Sequence, residues 1–164
     1  MKKAAIIMGS DSDLPVIKPA FQILEKFGVE YTVNVISAHR TPDRAAEFSK
    51  SAKENGYSCI ICAAGKAAHL AGVMAAYTAL PVIGIPIKSS TLDGLDSLLS
   101  TVQMPKGVPV ATVAIDGAEN AALLALQIMA VSDGELYGKL VEYKKKMAED
   151  IYEKDTHIAE AKQF

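Results

Sequence analysis

Short apolar runs alternate with helix-type stretches along this chain, and that alternation constrains the fold more than any other feature. Lys3–Met8, Glu30–Ile36, Ser58–Ala63, Val82–Ile87 and Val108–Ile115 read as strands. After the first, an amphipathic helix runs to Phe27 and closes at Gly28; Pro15 suits its first turn, while Pro19 implies a kink or a late start. Thr41-Pro42-Asp43 opens a second helix that ends near Asn55-Gly56, and Ala67–Ala79 gives a third. Lys88–Val102 reads as a polar, glycine-containing segment leading to Gln103-Met104-Pro105. Strands that are apolar throughout, rather than at every second position, belong to a parallel sheet covered on both faces. The expected fold is an α/β, three-layer doubly wound parallel sheet with flavodoxin-like strand order and an extended C-terminal helical tail after Gly117. No linker, repeat or low-complexity segment interrupts it, so residues 1–164 are expected to form a single domain.

Several functional classes are excluded at once. A formal charge of −2 gives no basic footprint for nucleic acid. Every apolar stretch is broken before bilayer length, and the first lacks the length and cleavage site of a signal peptide, so no membrane partner and a cytoplasmic location are expected. Cys59 and Cys62 form a C-x-x-C, but Ile60 and Ile61 place it inside a strand, where residues three apart face opposite ways. A redox pair sits instead at a helix start. Two small buried residues are the better reading.

The stretch "NAALLALQIMAV", Asn120 to Val131, is apolar nearly all the way round, which requires burial on more than one side. The chain has little mass left to provide that cover, and a neighbouring copy is the simplest source, so a homo-oligomer is expected. Glu135–Lys162 is highly charged and reads as a solvated helix.

Ligands in open α/β sheets bind beyond the carboxyl ends of the strands, near the reversal of strand order. Four loops should meet there: Gly9–Asp13, Ser37–Thr41, Ala64–Leu70 and Lys88–Asp93. In "GSDSD", a glycine, Ser10, Ser12 and a helix N-terminus suit a phosphate. Asp13 could cap the helix or accept hydrogen bonds from ribose hydroxyls. The loop lacks both G-x-G-x-x-G spacing and a P-loop lysine, which argues against NAD and nucleoside triphosphates. In "VISAHRTP", Arg40 is a permanent planar cation suited to phosphate, and His39 carries a ring type that titrates near neutrality, as a general acid/base must. In "AAGKAAHLAG", Ala64, Gly65 and Ala67 leave room for a compact group, Lys66 adds a cation, and His69 has either a packing, a supporting or a catalytic role. The three histidines lack the carboxylate or cysteine neighbours of a zinc site, so no metal is expected.

Taken in order, "MGSDSD", "SAHRTP", "AGKAAHLAG", "PVIGIPI", "DSLLSTVQMPKGVPVATVAI" and "NAALLALQI" resemble the N5-carboxyaminoimidazole ribonucleotide mutase family of purine biosynthesis from end to end. "SAHR" and the histidine of "AAHLAG" resemble its mutase branch rather than the branch that carboxylates aminoimidazole ribonucleotide with CO2 directly. Two positions depart from the usual pattern: Lys66 stands where mutases commonly have a second glycine, and Ala71 where they have proline. The resemblance implies that Ser10, Ser12 and Arg40 hold the ribonucleotide phosphate, Asp13 the ribose hydroxyls, and His39 acts as general acid/base. It further implies that Ser37, Ala38 and the Ala64–Leu70 loop, with Gly65, Lys66, Ala67, His69 and Leu70, confine CO2. No metal or organic cofactor and an octamer follow from the same resemblance.

Rival readings meet specific obstacles. A flavin carrier usually stacks its flavin on aromatic residues, and the four loops contain none. A phosphoacceptor domain wants an aspartate at the end of the third strand, where Cys62-Ala63-Ala64 stands. A ribonucleotide sensor without turnover and a direct carboxylase remain as alternatives.

Overall fold

In the computed structural model, which describes residues 2–161, five parallel strands form one sheet in the order β2-β1-β3-β4-β5. They are β1 (Lys3–Met8), β2 (Glu30–Val35), β3 (Tyr57–Gly65), β4 (Val82–Ile87) and β5 (Ala111–Thr112). The helices are α1 (Leu14–Phe27), α2 (Pro42–Ser51), α3 (Leu70–Tyr77), α4 (Leu95–Val102), α5 (Ala118–Ala130) and α6 (Gly134–Ala161). The expected doubly wound order is the observed one. Residues up to Leu126 form one compact unit, and those from Gln127 a second.

In the first unit, β1, β3 and β4 are buried almost throughout, which accounts for their continuous apolar sequence. Side chains alternate across the sheet. Ala5, Ile7, Ile60 and Cys62 therefore share a face, with Ala45 of α2 and Leu70, Ala71 and Met74 of α3 in the same core cluster. Ile6 and Ile61, also fully buried, supply the opposite face. Helix α1 buries Ile17, Ala20, Ile23, Leu24 and Phe27, one stripe at helical spacing, and ends on Gly28 in the left-handed conformation. It starts at Leu14 and continues through Pro19, so of the two effects open at Pro19, a kink or a late start, the late start does not occur.

Both cysteines are buried strand residues. Burial pushes the Cys59 thiol up to about 12 and raises Cys62 as well, so neither is a thiolate at neutral pH.

Several boundaries differ from the sequence reading: α2 ends at Ser51 rather than near Asn55-Gly56, and β3 runs from Tyr57 to Gly65 rather than Ser58 to Ala63. The third helix begins at Leu70 rather than Ala67, because Lys66 takes a left-handed φ of 56°. Ala68 N–H then donates to Lys66 O at 2.9 Å and His69 N–H to Ala67 O at 2.8 Å, so two tight turns replace the first helical turn. The fifth strand shrinks from Val108–Ile115 to Ala111–Thr112. Pro109 and, on β4, Pro86 have no N–H to donate to a ladder. The chain stays beside β4 through single bonds, Val113 N–H to Gly84 O at 3.1 Å and Asp116 N–H to Pro86 O at 2.9 Å.

Helix α4 lies within Lys88–Val102, a segment that the sequence reads as polar and glycine-containing rather than helical. It buries Ser97 and Thr101 and leaves Leu95, Leu99 and Val102 nearly half exposed, the reverse of the usual stripe. The inward hydroxyls are satisfied by backbone: Ser97 Oγ donates to Ile87 O at 2.9 Å, and Thr101 Oγ1 to Ser97 O at 2.8 Å.

The second unit consists of the end of α5 and the whole of α6, where Leu136 and Leu140 are buried. Lys139 pairs with Glu135 at 2.8 Å, an i,i+4 bridge on an exposed face, in keeping with a solvated helix. Lys162, the last residue of the expected charged stretch, lies outside the described residues. No helix among the described residues is long and apolar enough to cross a membrane.

Candidate functional site

Four strand ends open on one edge of the sheet, and the loops that leave them enclose a cavity of about 530 Å³. That volume falls within the range of small-molecule sites.

The first loop is folded by its own serines. Ser10 Oγ accepts from Ser12 N–H at 3.3 Å and from Ser12 Oγ at 2.9 Å, fixing a 3-10 turn at Asp11–Asp13 ahead of α1. Gly9 N–H donates to Ala63 O at 3.0 Å, tying this loop to the end of β3. Asp13 makes no side-chain capping bond to α1, which removes the capping explanation for it. Its carboxyl is buried, and burial, more than the nearby Asp11 charge, raises its pKa against the opposing hydrogen bonds from Ser10 and Ser12. A buried carboxylate without a capping role is poised to accept hydrogen bonds from a ligand.

The second loop is closed by Thr41, whose Oγ1 donates to Ser37 O at 2.9 Å and accepts from Ser37 N–H at 3.0 Å. Ser37 Oγ accepts from Arg40 N–H at 3.2 Å and from Arg40 Nε at 3.3 Å, and Arg40 Nη2 donates to Gly9 O at 3.0 Å. The guanidinium thus bridges both loops beside Ser10 and Ser12, a pole suited to an anion. Ala38 is half-buried against the apolar core, which leaves the next residue, His39, exposed towards the cavity.

His39 Nε2 lies 2.8 Å from His69 Nδ1, with the rings edge to face at 4.9 Å between centroids. The sequence left His69 between packing, supporting and catalytic roles. Its position at the head of α3, on the loop after β3, brings it against the ring that arrives from β2. Ala64, Gly65, Lys66, Ala67 and Leu70 line the same cavity. A Cβ on Gly65 would stand 3.3 Å from Ile87 O, so this wall is tight against β4.

All thirteen residues singled out from the sequence line this one cavity. The fourth loop, Lys88–Asp93, adds Lys88, Ser89 and Ser90 to the lining, residues with no individual role expected from the sequence. The available signal was position alone: these residues directly follow β4. Lys88 N–H donates to Asp116 Oδ1 at 2.9 Å, its Nζ lies 3.3 Å from Asp93, and Ser89 Oγ donates to Thr91 O at 2.8 Å. Among the described residues, no three His, Cys, Asp or Glu side chains cluster as metal ligands would.

Fold and site together define a flavodoxin-like α/β protein whose switch-point cavity has an arginine and two serines at one end and a pair of imidazoles between its loops. The chain belongs to the AIR carboxylase family, whose sequence model matches residues 3–150. It is 60% identical over 155 residues to the N5-carboxyaminoimidazole ribonucleotide mutase of Pyrococcus horikoshii, covering 94% of this chain and 88% of that protein. It is 53% identical over 145 residues to a chloroplastic phosphoribosylaminoimidazole carboxylase of Vigna aconitifolia, covering 88% of this chain but 26% of that much longer protein. Among solved structures, Treponema denticola PurE superposes with a TM-score of 0.87 at 28% identity, over 96% of this chain and 98% of that one.

Proposed function

We propose that this chain is an isomerase of purine biosynthesis that converts N5-carboxyaminoimidazole ribonucleotide to 4-carboxyaminoimidazole ribonucleotide. The observation that carries the reading is the placement of His39, an ionisable ring in a nucleotide-sized cavity between the Ser10–Ser12–Arg40 pole and the small-residue wall of Ala64, Gly65 and Ala67. The mutase relative matches nearly its whole length, whereas the carboxylase relative matches about a quarter of its own, which favours the mutase over direct carboxylation.

In this mechanism the phosphate rests on Ser10, Ser12 and Arg40, and the ribose hydroxyls donate to Asp13. Protonated His39 gives its proton to the carbamate nitrogen; the N–C bond breaks and leaves CO2 and aminoimidazole ribonucleotide. Ser37, Ala38 and the Ala64–Leu70 loop hold the CO2 in place. The enamine-like C4 attacks it, forming the C–C bond, and His39 recovers the C4 proton. Confinement matters because recapture then avoids the entropy of a second encounter. His69, at 2.8 Å, fixes the orientation of the His39 ring. We also assign the chain to a homo-oligomer, an octamer in keeping with the family resemblance, and to the cytoplasm. The exposed Leu95, Leu99 and Val102 of α4 support the oligomer as a face for another copy.

Purified protein offered N5-carboxyaminoimidazole ribonucleotide in bicarbonate-free buffer is expected to form the 4-carboxy product rapidly. Efficient formation only from aminoimidazole ribonucleotide plus CO2 would overturn the mutase reading.

Asp13 supplies a second expectation. Its folded-state pKa is raised, so the native chain binds this proton more tightly than the unfolded one. Its contribution to stability is therefore greatest in acid and falls as pH rises from the ordinary aspartate range through the higher folded value. Asp13→Asn removes that cost at pH 7, raising the melting temperature by about 2–4 °C per kcal/mol relieved, with the gain shrinking in acid. The same change weakens ribose binding and raises KM by about tenfold. A thermal melt at two pH values and a substrate titration check both halves.

A further inference from the structure

The cavity contains three cationic side chains, and they are not equivalent. Arg40 is committed to Gly9 O and Ser37 Oγ at the phosphate pole, and Lys88 Nζ faces Asp93 at 3.3 Å. Lys66 is exposed on the loop after β3, and among the described residues its ammonium has no ion-pair or hydrogen-bond partner. Its backbone adopts φ 56°, a conformation that glycine occupies freely and lysine only with strain. Strain of this kind concentrates at functional positions.

Strand register places this charge. Gly65 pairs with Ile87, so Lys66 and Lys88 are the first residues beyond the ends of neighbouring parallel strands. Arg40 instead follows β2, two strands away from β3 in the sheet order. Two interstrand spacings separate these strand ends by roughly 10 Å. His39, next to Arg40, meets His69 from the loop that carries Lys66. The cavity therefore carries positive charge in two separate places, and a ligand with one anionic group would use only one.

We infer that Lys66 binds the carboxylate carried by both the substrate and the product, as a second anion-binding pole apart from Arg40, while Lys88 stays paired with Asp93. The inference rests on the mutase reading, under which both nucleotides have a phosphate at one end and a carboxylate at the other. The decarboxylated nucleotide, aminoimidazole ribonucleotide, has the phosphate alone.

Lys66→Gly tests this without a folding penalty, because glycine suits the left-handed φ. KM and kcat are measured for the carboxylated nucleotides in both directions, and the dissociation constant of aminoimidazole ribonucleotide by calorimetry. The expected result is a rise of about tenfold in KM for both carboxylated nucleotides, with binding of the decarboxylated one changed by less than about twofold and Lys66→Arg restoring most of the loss. Unchanged KM values, or equal losses for all three nucleotides, would overturn the assignment of Lys66 while leaving the mutase reading intact. A wild-type protein that turns over neither carboxylated nucleotide would overturn that reading and this inference together.

Discussion

His39→Asn is expected to lower turnover by about 10²–10⁴-fold while nucleotide affinity stays within a few-fold. The ring is exposed and supports no core packing, so its loss changes stability by less than about 0.5 kcal/mol. The Ser10, Ser12 and Arg40 cluster proposed to hold the phosphate is built without it: Ser12 bonds Ser10, and Arg40 bonds Ser37 and Gly9, with none of these bonds passing through the imidazole. Asparagine retains a hydrogen-bonding group but cannot exchange a proton near neutrality. Calorimetry with aminoimidazole ribonucleotide and a turnover assay on the same preparation separate the two quantities. A ribonucleotide sensor would keep its function in this variant, and an enzyme that uses another proton carrier would keep most of its rate. Either outcome would remove His39 from the centre of the mechanism.

The second large effect is structural. Gly84 sits in the middle of β4, paired with Cys62 on one side and Thr112 on the other. A Cβ built there overlaps Thr101 Cγ2 of α4 and comes within 3.1 Å of Val110 Cγ1 and 3.4 Å of Ala71 Cβ. Neither neighbouring segment gives way easily, since Thr101 is bonded to Ser97 O and α4 is fastened to Ile87 O through Ser97. Gly84→Val is therefore expected to destabilise the fold by about 1–3 kcal/mol or more, through overpacking. That lowers the melting temperature by about 2–4 °C per kcal/mol. Gly138→Ala is the matched control. Nothing lies within 4 Å of its new methyl, and alanine in the interior of α6 stabilises by about 0.5–1 kcal/mol. Urea midpoints of the two variants moving the same way would show that the contact at Gly84 is not what limits the site.

The contrast between what the sequence disclosed and what it hid has physical causes. Strands β1, β3 and β4 were legible because a parallel sheet buried on both faces demands unbroken apolar runs, and Ile6, Ile61 and Ile83 meet that demand. The loops were legible because a doubly wound sheet sends them all to one edge. Helix α4 was hidden because its inward residues are Ser97 and Thr101 and its outward ones leucines, so hydrophobic patterning pointed the wrong way. The start of α3 was misplaced because alanines favour helix locally, while the left-handed Lys66 breaks it. The His39–His69 contact joins residues thirty positions apart and depends on how two loops tilt, which no spacing rule reports.

The brevity of β5 bears on how the protein behaves at high concentration. An open sheet invites a stranger's backbone wherever a long, flat border leaves amides and carbonyls unmatched. Here one border is only the pair Ala111–Thr112, flanked closely by Pro109, too short to template an intruding segment. On that side, the prolines that shorten the sheet also guard it against amyloid-like recruitment.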